Sequence, residues 1–544
     1  QGVDILIATP GRLLDLVENF ILFDSSSGKT AKILARNHQF MGVNRALSSV
    51  ENRKASDGKL GVFWHTQGSG KSYSMAFFTE KVRRKIPGNF TFLLMTDRND
   101  LDDQIYGTFV GCGVADEKTP RASSGAALER LLKENHCYLF SLIHKFNQDV
   151  NPAEPYSERD DIIVISDEAH RTQAGRLARN MRLALPNASF IGFTGTPLFK
   201  QDEITKRIFG SYVSRYDFKR SEEDGATVKL IYENRGEKLK YDYKGKRYGV
   251  AHTSLNAHIA EKIEQAELNA DQAALLDKLL GKDYEIITAD ERLDKIAADF
   301  VEHCATRWES GKALFVCIDK ITCARMYQRI IPHWQAKVTQ VRKAASEKRA
   351  AAVTSSDEAL RERLEKEALR LEAQAGWMDE TIIEIIISEA QNEVADFKKW
   401  GFDIIPHRAL MKQGFETASG DRIDVESAFK KPEHPFRVAI VCAMWLTGFD
   451  VECLSTLYID KPMKAHTLMQ AIARANRVNE GKNNGLIVDY CGILKNLRNA
   501  LATFAGTGDS GDPGEEEKTN PVNPNEELLE DLAEAIELIR NYLK

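Results

Sequence analysis

"WHTQGSGKS", residues 64–72, closes the apolar run "LGVFW" (60–64) and opens a helix. A glycine-rich turn between a strand and a helix lets backbone N–H groups approach phosphate oxygens, and the helix N-terminus adds a partial positive charge. Gly68, Ser69 and Gly70 form the turn; Lys71 would reach the β- and γ-phosphates and Ser72 would ligate Mg²⁺. His65 stands where G-x-x-x-x-G-K-[ST] has its first glycine, so the strand–turn–helix setting, more than the bare motif, carries the assignment. A second Gly-Lys, in "SSSGKT" (25–30), lies between the strand-like runs "FILF" and "AKILA" and reads as a hairpin turn.

Outward from this turn, short apolar runs alternate with helical stretches. "FTFLLM" (90–95), "CYLFS" (137–141), "DIIVIS" (161–166) and "SFIGF" (189–193) follow the first strand. Alternation of this kind predicts a parallel sheet covered by helices. Strands resume with "ALFVCI" (313–318), "RVAIVCAM" (437–444), "TLYID" (456–460) and "GLIVDY" (485–490), which predicts a second α/β domain. The expected organisation is an N-terminal segment (1–58), a first sheet domain (59–220), a polar connecting segment (221–300) and a second sheet domain (301–505). A charged helical insertion over about 335–400 shows no sustained apolar heptad seam and reads as solvated rather than as a coiled coil. Residues 506–526, rich in Gly, Pro and acid, read as a flexible linker, and 527–544 as the start of a further helical domain, an amphipathic C-terminal helix.

The 544 residues suit three or four domains at about 100–200 residues each. With 43% apolar and 28% charged residues the composition is that of an ordinary globular protein. Net charge is −6, so no global basic field advertises nucleic acid, although a motor needs only a local basic groove. Eight scattered cysteines without a C-x-x-C pair point to free thiols in a reducing cytoplasm. No apolar run is long enough for a membrane span.

Three further motifs carry chemistry. "DIIVIS" delivers Asp167 and Glu168, followed by Ala169 and His170. One carboxylate would hold Mg²⁺ through water and the other polarise the attacking water. "FTGTP" (193–197) places the hydroxyls of Thr194 and Thr196 after the next strand, where they would couple nucleotide state to the second domain. In "QAIARANR" (470–477), Gln470, Arg474 and Arg477 fall at i, i+4 and i+7, one face of a helix. With a triphosphate in the first domain they read as arginine fingers, and an ATP site shared between two domains makes a motor.

In order, "NHQFMGVNRAL", "WHTQGSGKS", "MTDRNDLDDQ", "DEAHRTQ", "FTGTPL", "MWLTGFDV" and "LMQAIARANRV" resemble the superfamily 2 motor subunit of Type I restriction enzymes, from about residue 10 to 500. The resemblance implies two RecA-like parallel-sheet motor domains with helical insertions, using ATP and Mg²⁺. "TPGRLLDLVENFILF" (9–23) sits where this family has a helix leading into a strand, so its likeness to a DEAD-box motif is accidental.

By the same resemblance Gln39 reads adenine, Thr96 and Arg98 grip DNA phosphates, and Thr447, Gly448 and Asp450 link nucleotide and DNA in the second domain. Asp97 would repel a phosphate track unless it pairs with Arg98. The implied partners are double-stranded DNA and the methyltransferase and specificity subunits of a cytoplasmic restriction–modification complex. The family's nuclease domain has no counterpart motif here, Glu516–Lys518 lying in the acidic linker; the expectation is an isolated motor, cut at both ends, that hydrolyses ATP without cutting DNA. Three alternatives share the ATPase motifs: a stand-alone repair or remodelling helicase, an RNA helicase, and a non-catalytic ATP-binding scaffold.

Overall fold

A computed structural model describes residues 9–26, 29–97, 99–148, 150–167, 175–195, 207–252, 280–390, 392–417, 420–446, 451–463, 465–493 and 522–524, with Ile259 and Phe449 singly. The chain divides into two compact units, one up to Asp224 and one from Gly225 onward.

The first unit begins with helix α1 (Pro10–Asn19), started by Thr9 as N-cap and Pro10 in the first turn. Strands β1 (Ile21–Asp24) and β2 (Ala31–Leu34) pair antiparallel, so "SSSGKT" spans a hairpin as its flanking runs predict. Helix α2 (Asn37–Glu51) leads to β3 (Lys59–His65), and α3 (Lys71–Lys85) follows the glycine turn. Lys81 of α3 donates to Asn44 Oδ1 of α2 at 2.6 Å, ion-pairs with Asp15 of α1 and lies 4.6 Å over the Phe20 ring. Only 4% of that side chain is exposed, so the three helices share one buried ammonium. Removing a single partner would strand a charge, which costs several kcal/mol.

The core sheet of this unit adds β4 (Thr91–Thr96), β5 (Tyr138–Leu142), β6 (Ile162–Asp167), β7 (Ser189–Thr194) and β8 (Tyr212–Tyr216). All five ladders are parallel, in the order β5-β4-β6-β7-β3-β8. Each strand predicted from an apolar run is present. β8, with its mixed sequence "YVSRY", was not predicted; it lies at the edge and buries only part of each face.

The second unit carries β9 (Lys229–Asn234), an antiparallel pair β10 (Lys240–Tyr243) and β11 (Lys246–Gly249), β12 (Lys312–Cys317) and β13 (Ile382–Ile386). A short hairpin β14 (Phe415–Glu416) and β15 (Arg422–Ile423) precedes β16 (Phe436–Val441), β17 (Leu454–Asp460), β18 (Asn484–Asp489) and β19 (Val522–Pro524). Its seven-stranded sheet runs β13-β16-β12-β17-β18-β9-β19, with parallel pairing throughout. The two parallel sheets with helices confirm the doubly domained α/β architecture.

Three expectations need correction. The connecting segment supplies β9, whose Leu230 and Tyr232 are buried against β18. The stretch read as linker supplies β19 on β9, at a sheet edge where Pro524 has no ladder N–H to forfeit. The insertion is helical and largely exposed as expected, but it forms a hairpin with a buried stripe and is followed by β13. Helices Lys320–Thr354 and Glu358–Glu380 pack antiparallel, with Lys348–Glu367 and Arg349–Glu372 ion pairs at 2.6 Å. Trp334, Val338, Val341, Ala345 and Ala352 are buried on the first helix; on the second Ala368, Ala375 and Met378 are buried and Leu364 and Leu371 half-buried, at alternating spacings of four and three. The heptad is there, but alanine fills so many of its positions that the hydropathy signal is faint.

Deep in the second unit Arg292, fully buried, meets Asp460 at the end of β17 through Nη2 at 2.6 Å and Nη1 at 3.0 Å. All eight cysteines are free thiols, and no described helix is long and apolar enough to cross a membrane. The predicted helix over 527–544 lies outside the described residues.

Candidate nucleotide site

The first unit gathers its chemistry at the carboxyl ends of β3, β7 and β6, which are adjacent in the sheet. β3 ends at His65 and the chain turns through Thr66 to Gly70 before α3 starts at Lys71. Gly68 (φ 91°) and Gly70 (φ 83°) hold left-handed backbone, and a Cβ on Gly70 would lie 2.8 Å from Gln39 Nε2. Only glycine permits that conformation and that approach together. Ser69 is buried and its Oγ donates to Thr66 O at 2.6 Å. Lys71 Nζ donates to His65 O at 3.3 Å, and a Cβ on Gly195 would lie 3.1 Å from the same Nζ. The "FTG" turn after β7 therefore abuts the loop lysine. Ser72, in the first turn of α3, is half-buried.

Thr194 closes β7 and is fully buried, while Asp167 closes β6 opposite Phe193. A cradle too tight for any Cβ, followed by a helix N-terminus and a carboxylate two strands away, fits a nucleotide triphosphate with Mg²⁺. Glu168, His170 and Thr196 lie outside the described residues.

Gln39 is buried and spends its amide on the protein. Its Oε1 accepts from Arg36 N at 2.9 Å, and its Nε2 donates to Gly70 O at 2.9 Å and Ser74 Oγ at 3.3 Å. Two histidines that sequence reasoning left unassigned flank it. His65, fully buried, meets Ser214 Oγ of β8 through Nε2 at 2.8 Å. His38 reaches Ser69 O through Nε2 at 3.0 Å and stacks on Tyr216 with ring centroids 3.7 Å apart. Burial pushes the pKa of both imidazoles down, His65 strongly, with the neighbouring His38 and Lys71 charges adding to it. Both are neutral near pH 7. The only advance signal for His38 was its place beside Gln39 in "NHQ"; Ser214 and Tyr216 gave none.

Thr96 ends β4, buried, with its hydroxyl bonded to the Asp102 carboxylate; Arg121 pairs with Asp102 and lies 4.9 Å over Tyr106. Arg98 lies outside the described residues.

In the second unit the helix carrying Gln470 runs Ala465–Ile472 and stops short of both arginines. This corrects the expectation of a single helical face. Bonds from Arg474 N to Ala471 O and from Ala475 N to Ile472 O, at 3.1 and 3.0 Å, tighten the chain out of α geometry. Gln470 and Arg474 are buried. Arg474 donates from Nε to Leu446 O at 3.1 Å and from Nη1 to Phe449 O at 2.6 Å, so it ties these two backbone carbonyls together. Arg477 is half-buried. Thr447, Gly448 and Asp450 lie outside the described residues.

Comparison with known proteins adds the following. The SWI2/SNF2 ATPase family matches residues 38–268, and the family described as Type I restriction enzyme subunit R domain 3 matches residues 310–492. The Type I restriction enzyme HindI endonuclease subunit of Haemophilus influenzae is 37% identical over 524 residues, covering 92% of this chain and 43% of the relative. A putative Type I restriction enzyme MjaIXP endonuclease subunit of Methanocaldococcus jannaschii is 30% identical over 504 residues, covering 91% of this chain and 41% of the relative. The chain thus spans less than half the length of these curated relatives. Among solved structures, a fragment of a putative HsdR subunit of a Type I restriction enzyme from Vibrio vulnificus YJ016 aligns with a TM-score of 0.48 at 14% identity, covering 90% of this chain and 67% of that one.

Proposed function

Because this chain belongs to the family of Type I restriction enzyme R subunits, we propose that it is the ATP-driven motor region of such a subunit, hydrolysing ATP to move along double-stranded DNA. One observation carries the reading from geometry: Lys71, Gly195 against it and Asp167 stand at the carboxyl ends of three neighbouring parallel strands. Gly68, Ser69 and Gly70 cradle the phosphates and Lys71 pairs with the terminal ones. Ser72 and Asp167 would hold Mg²⁺, which neutralises developing charge on the phosphates. Glu168 polarises the attacking water, and Arg477 stabilises the transition state while Arg474 positions its loop.

Thr194, Thr196, His170 and Gln470 couple nucleotide state to movement. Thr96, Arg98 and Thr447 face DNA phosphates, and Gly448 and Asp450 complete the nucleotide contacts. Gln39 keeps one Oε1 lone pair for the exocyclic amine of adenine. Phosphate tracking carries no base information, so sequence choice falls to the methyltransferase and specificity subunits as partners. The test is steady-state ATP hydrolysis with duplex DNA, single-stranded DNA, RNA or no addition, alongside Lys71→Ala. Duplex DNA should stimulate most and Lys71→Ala should be inactive. Preference for RNA, or turnover that survives Lys71→Ala, would reject the proposal.

A further inference from the structure

The phosphate loop is held from behind by two neighbouring side chains of α2. Gln39 Nε2 donates to Gly70 O, and His38 Nε2 lies 3.0 Å from Ser69 O. A carbonyl oxygen only accepts, so the His38 tautomer carries its proton on Nε2. In a trans peptide C=O and N–H lie in one plane and point in opposite directions. No cis peptide bond occurs among the described residues. Fixing the Ser69 carbonyl toward α2 therefore turns the Gly70 N–H away from α2, and fixing the Gly70 carbonyl does the same for the Lys71 N–H. The Gly70 carbonyl is also held by Ser74 N of α3 at 3.0 Å, whereas the Ser69–Gly70 plane, next to a glycine with little steric restraint, relies on His38.

The ring of His38 is itself fixed. It stacks on Tyr216 with an interplanar angle of 12°, and Tyr216 is buried, its hydroxyl donating to Asp224 Oδ2 at 2.9 Å. The Tyr216 carbonyl also accepts from Thr66 N at 2.9 Å, at the loop's other end. One residue of β8 thus steadies both the loop's entry and the histidine that sets its exit.

We propose that His38 is a positioning residue for the phosphate loop: its Nε2–H pins the Ser69 carbonyl and so aims the Gly70 N–H at the nucleotide's phosphates. The inference rests on the phosphate-site reading above and extends it. It places the effect on the polyphosphate and not on the base, which separates His38 from any base-reading role for its neighbour.

The experiment measures binding of Mg·ATP, Mg·GTP and inorganic tripolyphosphate, with ATPase kcat and KM, in the wild type, His38→Phe and His38→Gln. Phenylalanine keeps the stack on Tyr216 but has no N–H, whereas glutamine restores a donor at similar reach. Loss of one neutral hydrogen bond predicts a weakening of about five- to tenfold. His38→Phe should show that loss equally for all three ligands, with an unchanged ATP-to-GTP ratio. His38→Gln should recover most of it. A loss confined to the nucleotides, no loss, or an equal loss that glutamine leaves unrepaired would overturn the proposal. Lys71→Ala, run in parallel, tests the phosphate-site reading separately: if it binds tripolyphosphate like the wild type, that reading has failed whatever His38 does.

Discussion

The two arginines of "ARANR" have the same charge and opposite surroundings. Arg474 is 4% exposed and committed to the carbonyls of Leu446 and Phe449. Its replacement by alanine leaves two acceptors without donors, and we expect about 1–3 kcal/mol less stability, read as a lower urea midpoint. Arg477 is half-buried and serves chemistry in the proposed cycle. Arg477→Ala should leave nucleotide affinity nearly intact and slow single-turnover hydrolysis by about 10³-fold or more. If Arg477→Ala instead loses affinity with normal turnover, its role is to clamp the ground state. Both sites look equivalent in the sequence; the difference lies in carbonyls at least 25 residues away.

Elements show the same dependence on neighbours. The helical hairpin closes on alanines: Ala375 is buried in the core of the second unit, whereas Leu369, on the same helix, is 59% exposed. Ala375→Leu should cost about 1–3 kcal/mol by overpacking, while Leu369→Ala should change unfolding stability by about 0.5 kcal/mol or less, both read from urea denaturation. On β3, His65 is buried neutral, and its Nδ1 has no hydrogen-bond partner. Its pKa in the fold lies well below 6.5, so in acid the unfolded chain takes up a proton that the folded chain refuses. Stability from this residue is whole above about pH 6.5 and is lost as pH falls further. Between pH 7.5 and 5.5 the first unit should weaken progressively, and His65→Asn should flatten that slope. An unaltered slope would place the proton uptake elsewhere.

For the whole molecule, the proposed DNA tracking must operate on a chain of net charge −6. Phosphate contacts release counterions, so binding through a local basic track should weaken steeply as salt rises, whatever the net charge. Fluorescence anisotropy with a labelled duplex between 50 and 200 mM salt (roughly the range over which several contacts cost orders of magnitude) checks this. A flat response would argue against backbone tracking. The fold is compatible with either result, because two parallel sheets say what can hold phosphate and not what moves.

Much was legible before any coordinates. Apolar runs of five to eight residues ending in polar motifs marked β3 to β7 and four strands of the second sheet, because a strand buried on both faces must be apolar throughout. The turn at Gly68–Lys71 was legible because glycine and lysine at that spacing have few other uses beside a strand and a helix. β13 escaped because Glu384 interrupts "IIEII", and what neutralises that interruption is His407, whose Nδ1 meets the Glu384 carboxylate from a helix 23 residues on. β8 and β9 escaped because edge or half-covered strands tolerate mixed residues. Sequence alone determined the local chemistry, the strands buried on both faces and the order of motifs. Only the tertiary structure decided that His38 and Gln39 turn their donors onto loop carbonyls 31 residues away, and that Arg474 ties two backbone carbonyls together. The physical reason is that hydropathy reports burial along the chain, whereas the partner of a buried polar group is chosen by where the fold places other chain segments.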